Sequence, residues 1–331
     1  MLDPRKIIKP LRLAHLPTPL QKLEKISGLW GGDVWIKRDD LTGSGLSGNK
    51  VRKLECLLSE VLSEGSDTVI SCGGLQSNHC RATALASTRM GLKCRLVLRG
   101  EQPDEIDGNL LLDRLAGAEV LFVSNEEYYS NLDGICNRMV TEIKKAGGKA
   151  YIVPEGGSNA VGAWGYVEAL RELRKQCFDI RLKPDRIVCA TGSGGTHAGL
   201  LAGTLIEGWD VDIVSISVCY DREETVSRIL EIVNSMIDRF ALDVRVHRGA
   251  VQVLDGYIGA GYAKADASVF QTISEMARTE GILVDPVYTG KAALAIKNEL
   301  AKGNMQGTTI FCHTGGMFGL FPFRKSLADY V

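Results

Sequence analysis

The chain predicts an α/β protein of two domains, each an open twisted sheet of mostly parallel strands with helices on both faces. Three observations carry this reading. Short apolar runs alternate with amphipathic helical patterns almost throughout, and the connections between them are short and contain Gly. Two turns rich in Gly, Pro and Asn, at 43–49 and 154–159, bracket about a hundred residues that have their own alternation. Alternation of this kind builds strand–helix–strand units, whose parallel sheets are covered by helices.

Strands are predicted over 34–37, 68–72, 94–98, 119–123, 150–153, 186–190, 212–218 and 308–312, where β-branched and other apolar residues cluster. Helical patterns lie between them, for example over 78–90, 109–116, 131–146, 161–176, 197–207 and 222–240. A further helix begins near 47–49, because Val51, Leu54, Leu57, Leu58, Val61 and Leu62 recur at helical spacing and Ser47 or Asn49 can cap the start. No Pro/Ser linker marks a boundary. The two turns divide the chain into a larger, discontinuous unit (1–48 with 160–331) and a smaller inserted one (49–159). Ligands of such folds bind at the carboxyl ends of strands, often between domains.

At 331 residues the length fits about two domains. The composition, 45% hydrophobic and 24% charged, is that of a globular protein. The formal net charge of −1 and the lack of a basic block argue against nucleic-acid or membrane-surface partners. No run is apolar for long enough to span a bilayer, and Met1-Leu2-Asp3-Pro4-Arg5-Lys6 does not read as a signal peptide. The nine cysteines form no C-x-x-C pair, so reduced thiols and a cytoplasmic location are expected. The five histidines are dispersed and no metal centre is expected.

Chemistry concentrates in the loops. Lys50 stands where the polar, Gly-rich loop of 41–49 gives way to the helix. An ammonium is disfavoured at the positive end of a helix. Lys50 is therefore biased toward the neutral amine that a Schiff-base nucleophile needs. The loop Thr191-Gly192-Ser193-Gly194-Gly195-Thr196 follows an apolar strand and opens a helix, the placement of a phosphate cradle. It is not a Walker motif, because no Gly-Lys-Ser/Thr follows. It is only a degenerate dinucleotide loop, because His197 occupies the third Gly position.

Gln76, Ser77, Asn78 and His79 also start a helix after a strand, and offer donors to a small anion such as a carboxylate. His79 reads as an orienting residue rather than a base. Tyr262, Tyr288 in the turn Asp285-Pro286-Val287-Tyr288-Thr289-Gly290-Lys291, and Thr314 at the end of the last strand complete the set.

Together these residues resemble the pyridoxal-phosphate enzymes of fold type II, in the branch of D-cysteine desulfhydrase and aminocyclopropane-carboxylate deaminase. The resemblance runs from Leu16-Pro17-Thr18-Pro19-Leu20 to His313-Thr314-Gly315-Gly316, and its specificity lies in the order of four motifs: GNKxRKLE, QSNH, TGSGGT and DPVYTGK. It implies that Lys50 holds pyridoxal 5′-phosphate covalently and later moves the substrate Cα proton. Asn78 would hydrogen-bond the cofactor's 3′ oxygen, and Ser77 would hold the substrate carboxylate. Gly192, Ser193, Gly194, Gly195 and Thr196 would cradle the phosphate. Tyr288 would lie beside the ring and share the substrate side with Tyr262, and Thr314 would sit at the pyridine nitrogen. A homodimer is implied as well.

The deaminases carry Glu directly after the Tyr of DPVY, and a Trp-containing stretch after the third small-domain strand. Here the first position is Thr289 and the stretch reads Val97-Leu98-Arg99-Gly100-Glu101. The resemblance thus implies α,β-elimination on a small amino acid, D-cysteine before cysteate or the cyclopropane substrate. Arg99 and Arg81 are the cations that a sulfonate would want. An NAD(P)-dependent oxidoreductase using 192–198 stays as a remote alternative that leaves Lys50, Ser77, Asn78 and Thr314 unexplained.

Overall fold

The computed structural model describes residues 8–331, so the stretch 1–6 read above lies outside the described residues. In chain order the elements are β1 (Leu20–Lys22), α1 (Glu24–Trp30), β2 (Asp33–Lys37), α2 (Asn49–Ser63), β3 (Thr68–Gly74), α3 (Asn78–Arg89) and β4 (Lys93–Arg99). Then come α4 (Gly108–Leu115), β5 (Glu119–Val123), α5 (Asn125–Lys145), β6 (Ala150–Ile152), α6 (Ala160–Asp179), β7 (Arg186–Thr191) and α7 (Gly195–Glu207). The chain ends with β8 (Asp212–Ser217), α8 (Arg222–Phe240), β9 (Gln252–Leu254), α9 (Ala267–Glu280), α10 (Thr289–Ala301), β10 (Thr308–Cys312) and α11 (Arg324–Leu327).

Two sheets form. The larger has the order β1-β2-β10-β7-β8-β9, and only β1 runs antiparallel to its neighbour. The smaller has the order β5-β4-β3-β6 and is parallel throughout. In the smaller sheet β6 returns to the far side of β3, and in the larger β10 returns between β2 and β7, so the strand order reverses at β3 and at β7 and leaves crevices at the carboxyl ends.

The apolar stripe of α2 explains why that helix sits where it does. Val51, Leu54, Leu57, Leu58 and Val61 are completely buried, in one cluster with Trp164 and Val167 of α6, Leu201 of α7 and Phe240 of α8. Each such side chain contributes about 1.5–3 kcal/mol. Leu62, expected to continue the stripe, is 38% exposed, because the stripe has rotated off the contact face by then. The stretch that holds the small sheet is thus joined through α2 to the helices over the large one. The division of the chain at 48 and 159 remains a proposal.

Differences from the predicted elements have local reasons. β1 and β9 are three-residue edge strands with mostly half-buried or exposed residues, too short to show a period. α5 starts at Asn125 rather than at 131, capped by Ser124 Oγ, which accepts from Glu127 N at 3.1 Å. Its first turns carry Glu126, Glu127, Tyr128 and Tyr129, without an apolar period. They join the rest through a non-helical Asn131 (φ −143°, ψ 19°).

Candidate active site

Loops from both sheets meet around one cavity. β3 and the start of α3 bring Ser77, Asn78 and His79, and β7 and the start of α7 bring 191–196. The start of α2 brings Asn49, Lys50 and Lys53, the end of β10 brings Thr314 and Gly315, and Tyr262 and Tyr288 line it too. Of the residues named from the sequence, Lys50, Ser77, Asn78, His79, Gly192, Ser193, Gly194, Gly195, Thr196, Tyr262, Tyr288 and Thr314 therefore come together.

Gln76 does not line the cavity. Its amide turns away to α4, where Nε2 donates to the Asp107 carbonyl at 3.2 Å and Oε1 accepts from Asn109 N at 2.8 Å. A direct substrate contact by Gln76 is thereby corrected to a support of the loop. His79 lies at the cavity wall, but its polar atoms are engaged or hidden. Ser71 Oγ donates to the Val153 carbonyl at 2.9 Å, so His79 Nε2–H donates to Ser71 Oγ at 2.9 Å. Nδ1 is buried. Burial, with Lys50 and Lys53 nearby, holds this ring well below the usual imidazole range, so it is neutral. His79 thus lines the cavity as a neutral ring held against Ser71.

Lys50 is the amine of the site. Burial pulls its pKa down to about 8, opposed by Glu155, so a neutral fraction exists near neutral pH. Its backbone is tied down on both sides. Asn49 N donates to the Thr314 carbonyl at 3.0 Å, and Asn49 Nδ2 donates to Thr196 Oγ1 at 3.0 Å. Two residues after Lys50, Arg52 makes a buried fork to Asp39 (Nε–Oδ2 3.0 Å, Nη2–Oδ1 2.8 Å) and reaches Glu172 (Nη1–Oε2 3.1 Å). Tyr166 donates to Asp39 Oδ2 at 2.7 Å and Thr18 to Oδ1 at 2.8 Å, while Lys37 pairs with Glu172. This network pins the first turn of α2 to β2 and α6.

The glycine loop is shaped for an anion. Gly194, the residue before α7, adopts φ +88°. A Cβ on Gly195 would lie 2.5 Å from Ser158 Oγ and 2.6 Å from Lys53 Nζ, so only Gly leaves the cradle open. Among the described residues, the N–H groups of Ser193 and Gly194 meet no backbone acceptor. In the sequence Lys53 is one residue of the GNKxRKLE motif. The structure places its Nζ at the cradle, buried, with bonds of 3.1 Å to the Gly156 carbonyl and to Ser158 Oγ. The available signal was its position three residues after Lys50, on the same helix face.

Tyr262 and Tyr288 form a phenol pair, with oxygens 2.8 Å apart and rings edge to face. Burial pushes Tyr262 up to about 12 and Tyr288 well above the usual phenol range, so both keep their protons. Thr314 lines the cavity, whereas the Thr289 hydroxyl turns inward to Asp285 Oδ1 (2.7 Å) and is fully buried. Glu155 is the carboxylate present among the lining residues.

A reactive, desolvated lysine, an N–H cradle at a helix start and a protonated phenol pair define an enzyme that uses a phosphorylated carbonyl cofactor. A family model described as pyridoxal-phosphate dependent enzyme matches residues 11–315, and the chain belongs to that family of lyases. It is 45% identical over 318 residues to a protein of Thermotoga maritima named "Putative 1-aminocyclopropane-1-carboxylate deaminase", covering 95% of this chain and 98% of the other. It is 41% identical over 332 residues to the mitochondrial bifunctional D-cysteine desulfhydrase/1-aminocyclopropane-1-carboxylate deaminase of Arabidopsis thaliana, covering 96% and 81%. The crystal structure of an ACC deaminase homologue superposes with a TM-score of 0.90 at 38% identity, covering 98% and 97%.

Among the described residues, no helix is long and apolar enough to cross a membrane. The residues present fit pyridoxal phosphate: a glycine cradle that a Cβ would fill, the buried Lys53 side chain beside it, and an amine of lowered pKa at Lys50.

Proposed function

We propose that the protein catalyses α,β-elimination on D-cysteine, releasing pyruvate, ammonia and sulfide. The observation that carries this choice is the donor set around Thr314 and Tyr288. The residue after Tyr288 is Thr289, its hydroxyl is held by Asp285, and the cavity at this end is lined by the neutral Thr314. When bound, the cofactor supplies the electron sink. Thr314 would be a neutral partner at its ring nitrogen and would leave that sink weaker than a carboxylate would. A weaker sink suits expulsion of a good leaving group such as thiolate, and suits opening of an unactivated ring less well.

The chain's own residues divide the remaining work. Lys50, Lys53, Asn78 and the 192–196 loop would hold the cofactor. Ser77, which caps α3 by accepting from Cys80 N at 3.2 Å, and the free N–H groups of that helix start would hold the substrate carboxylate. Lys50, poised by its lowered pKa, would take the Cα proton. The Tyr262–Tyr288 pair would supply a proton as the C–S bond breaks. A second reading has its own observation: Arg99 lines the cavity and has no carboxylate partner among the described residues, which suits a β-sulfonate such as cysteate. The homodimer implied by the resemblance is kept as a proposal, to be tested by light scattering.

The test follows the visible spectrum of the purified protein before and after borohydride, then product formation. A band fixed onto Lys50 by borohydride, with sulfide and pyruvate formed faster from D-cysteine than from L-cysteine or cysteate, is expected. Faster 2-oxobutanoate formation from 1-aminocyclopropane-1-carboxylate would overturn the substrate choice. No band even after added pyridoxal phosphate would refute the site.

A further inference from the structure

Asn109, in the first turn of α4, is completely buried. Its Nδ2 lies 3.0 Å from the backbone carbonyl of Gln76 and 3.0 Å from Oδ1 of Asn78. The first contact decides the second. A backbone carbonyl can only accept, so the group that Asn109 turns toward it is the NH2. The same NH2 faces Asn78, so the Asn78 atom facing it is the acceptor Oδ1. The NH2 of Asn78 is left on the other side of its amide, and Asn78 lines the cavity. The Oδ1 of Asn109 has no partner, so its orientation is set at the Nδ2 end. The backbone completes the clamp: Asn109 N donates to Gln76 Oε1 at 2.8 Å. Gly108 adopts φ +55°, where a Cβ would come within 2.4 Å of the same oxygen.

We propose that Asn109 is a positioning residue that locks the Asn78 amide with its donor toward the cofactor's 3′ oxygen. This rests on the reading of Asn78 given above. An amide has nearly the same shape in either orientation, so without a lock Asn78 can present either its oxygen or its NH2. An NH2 favours an anionic oxygen opposite it, and a carbonyl repels one. Asn109 removes the second orientation from a distance, without touching cofactor or substrate.

The test compares Asn109→Leu, Asn78→Ala and the double variant as holoenzymes. It reads the pH midpoint of the visible band, and the cofactor Kd by titration of the cofactor-free protein. Asn78→Ala is expected to move the midpoint, and Asn109→Leu to move it in the same direction by less. Asn109→Leu is also expected to raise Kd about threefold to tenfold, the range for one lost neutral hydrogen bond. In the Asn78→Ala background, Asn109→Leu is expected to change nothing more.

An unchanged midpoint in Asn109→Leu, with a shift in Asn78→Ala, would overturn the proposal and leave the Asn78 reading intact. An equal effect of Asn109→Leu in both backgrounds would make Asn109 purely structural and also overturn it. No shift in Asn78→Ala would remove the Asn78 reading and the proposal together. Should Leu prevent folding, Asn109→Ser, too short to span both contacts, carries the same comparison.

Discussion

Replacing Lys53 with Met separates the cost of a buried charge from its use. Lys53 Nζ is buried, bonded to the Gly156 carbonyl and Ser158 Oγ at 3.1 Å each, with no carboxylate partner among the described residues. Burial and the nearby Lys50 hold its pKa well below that of a free lysine. In the cofactor-free protein the side chain is therefore an unneutralised cation or a desolvated amine, and Met relieves that. With a dianionic phosphate in the cradle, the same ammonium gains a charge-assisted hydrogen bond of about 1.5–3 kcal/mol.

The Met variant should raise the cofactor Kd by about 10- to 150-fold. It should lower the cofactor-dependent part of the stability by a similar free energy at fixed cofactor concentration. Phosphate binding raises the Lys53 pKa, so wild-type affinity rises as pH falls from the bound-state pKa toward the lower free-state one, and the variant loses that slope. The assays are absorbance titration of the cofactor-free protein and thermal melting with and without cofactor. A Kd within threefold of wild type would refute the reasoning. So would a cofactor-free form destabilised as much as the loaded one, since Lys53 would then be only a tie between α2 and the 156–158 turn.

Lys50→Ala should abolish borohydride-fixed cofactor and turnover together, and retained steady-state activity would contradict the assignment. Asp39→Asn should destabilise by up to about 3 kcal/mol in urea unfolding, because it leaves the buried Arg52 with Glu172 as its remaining carboxylate. Asp39 is held below the usual carboxylate range: burial alone would raise it, but Arg52, Lys37 and Tyr166 together outweigh that. Its contribution is thus present above the unfolded pKa and lost as pH falls through the lower folded value. Asp113 has the opposite sign. Both of its oxygens are buried without partners, and burial raises it to about 8. The folded state then holds a proton that the unfolded state releases above about pH 4, so stability falls from there toward pH 8. Asp113→Asn should flatten that slope, and an unchanged slope in pH-dependent melting would show that Asp113 does not set it.

The amino-acid sequence by itself determined the parallel α/β class, eight of the strands and the helix that carries Lys50, because strand and helix periods are local. It also marked the loops that meet at the cavity, since Gly, Ser and Asn between a strand and a helix state their local chemistry without any partner. Their meeting was decided by tertiary structure alone. Thr314 and Asn49 lie 265 residues apart in the chain and are joined by a backbone hydrogen bond of 3.0 Å.

The same holds for side-chain direction. Gln76 reads as a donor beside Ser77 but turns to Asp107 and Asn109. Thr289 follows Tyr288 but points at Asp285, and Lys53, one residue of GNKxRKLE in the sequence, closes the cradle. A one-dimensional pattern gives the face of an element. Which group on that face is buried, charged or free follows from what the other elements place against it.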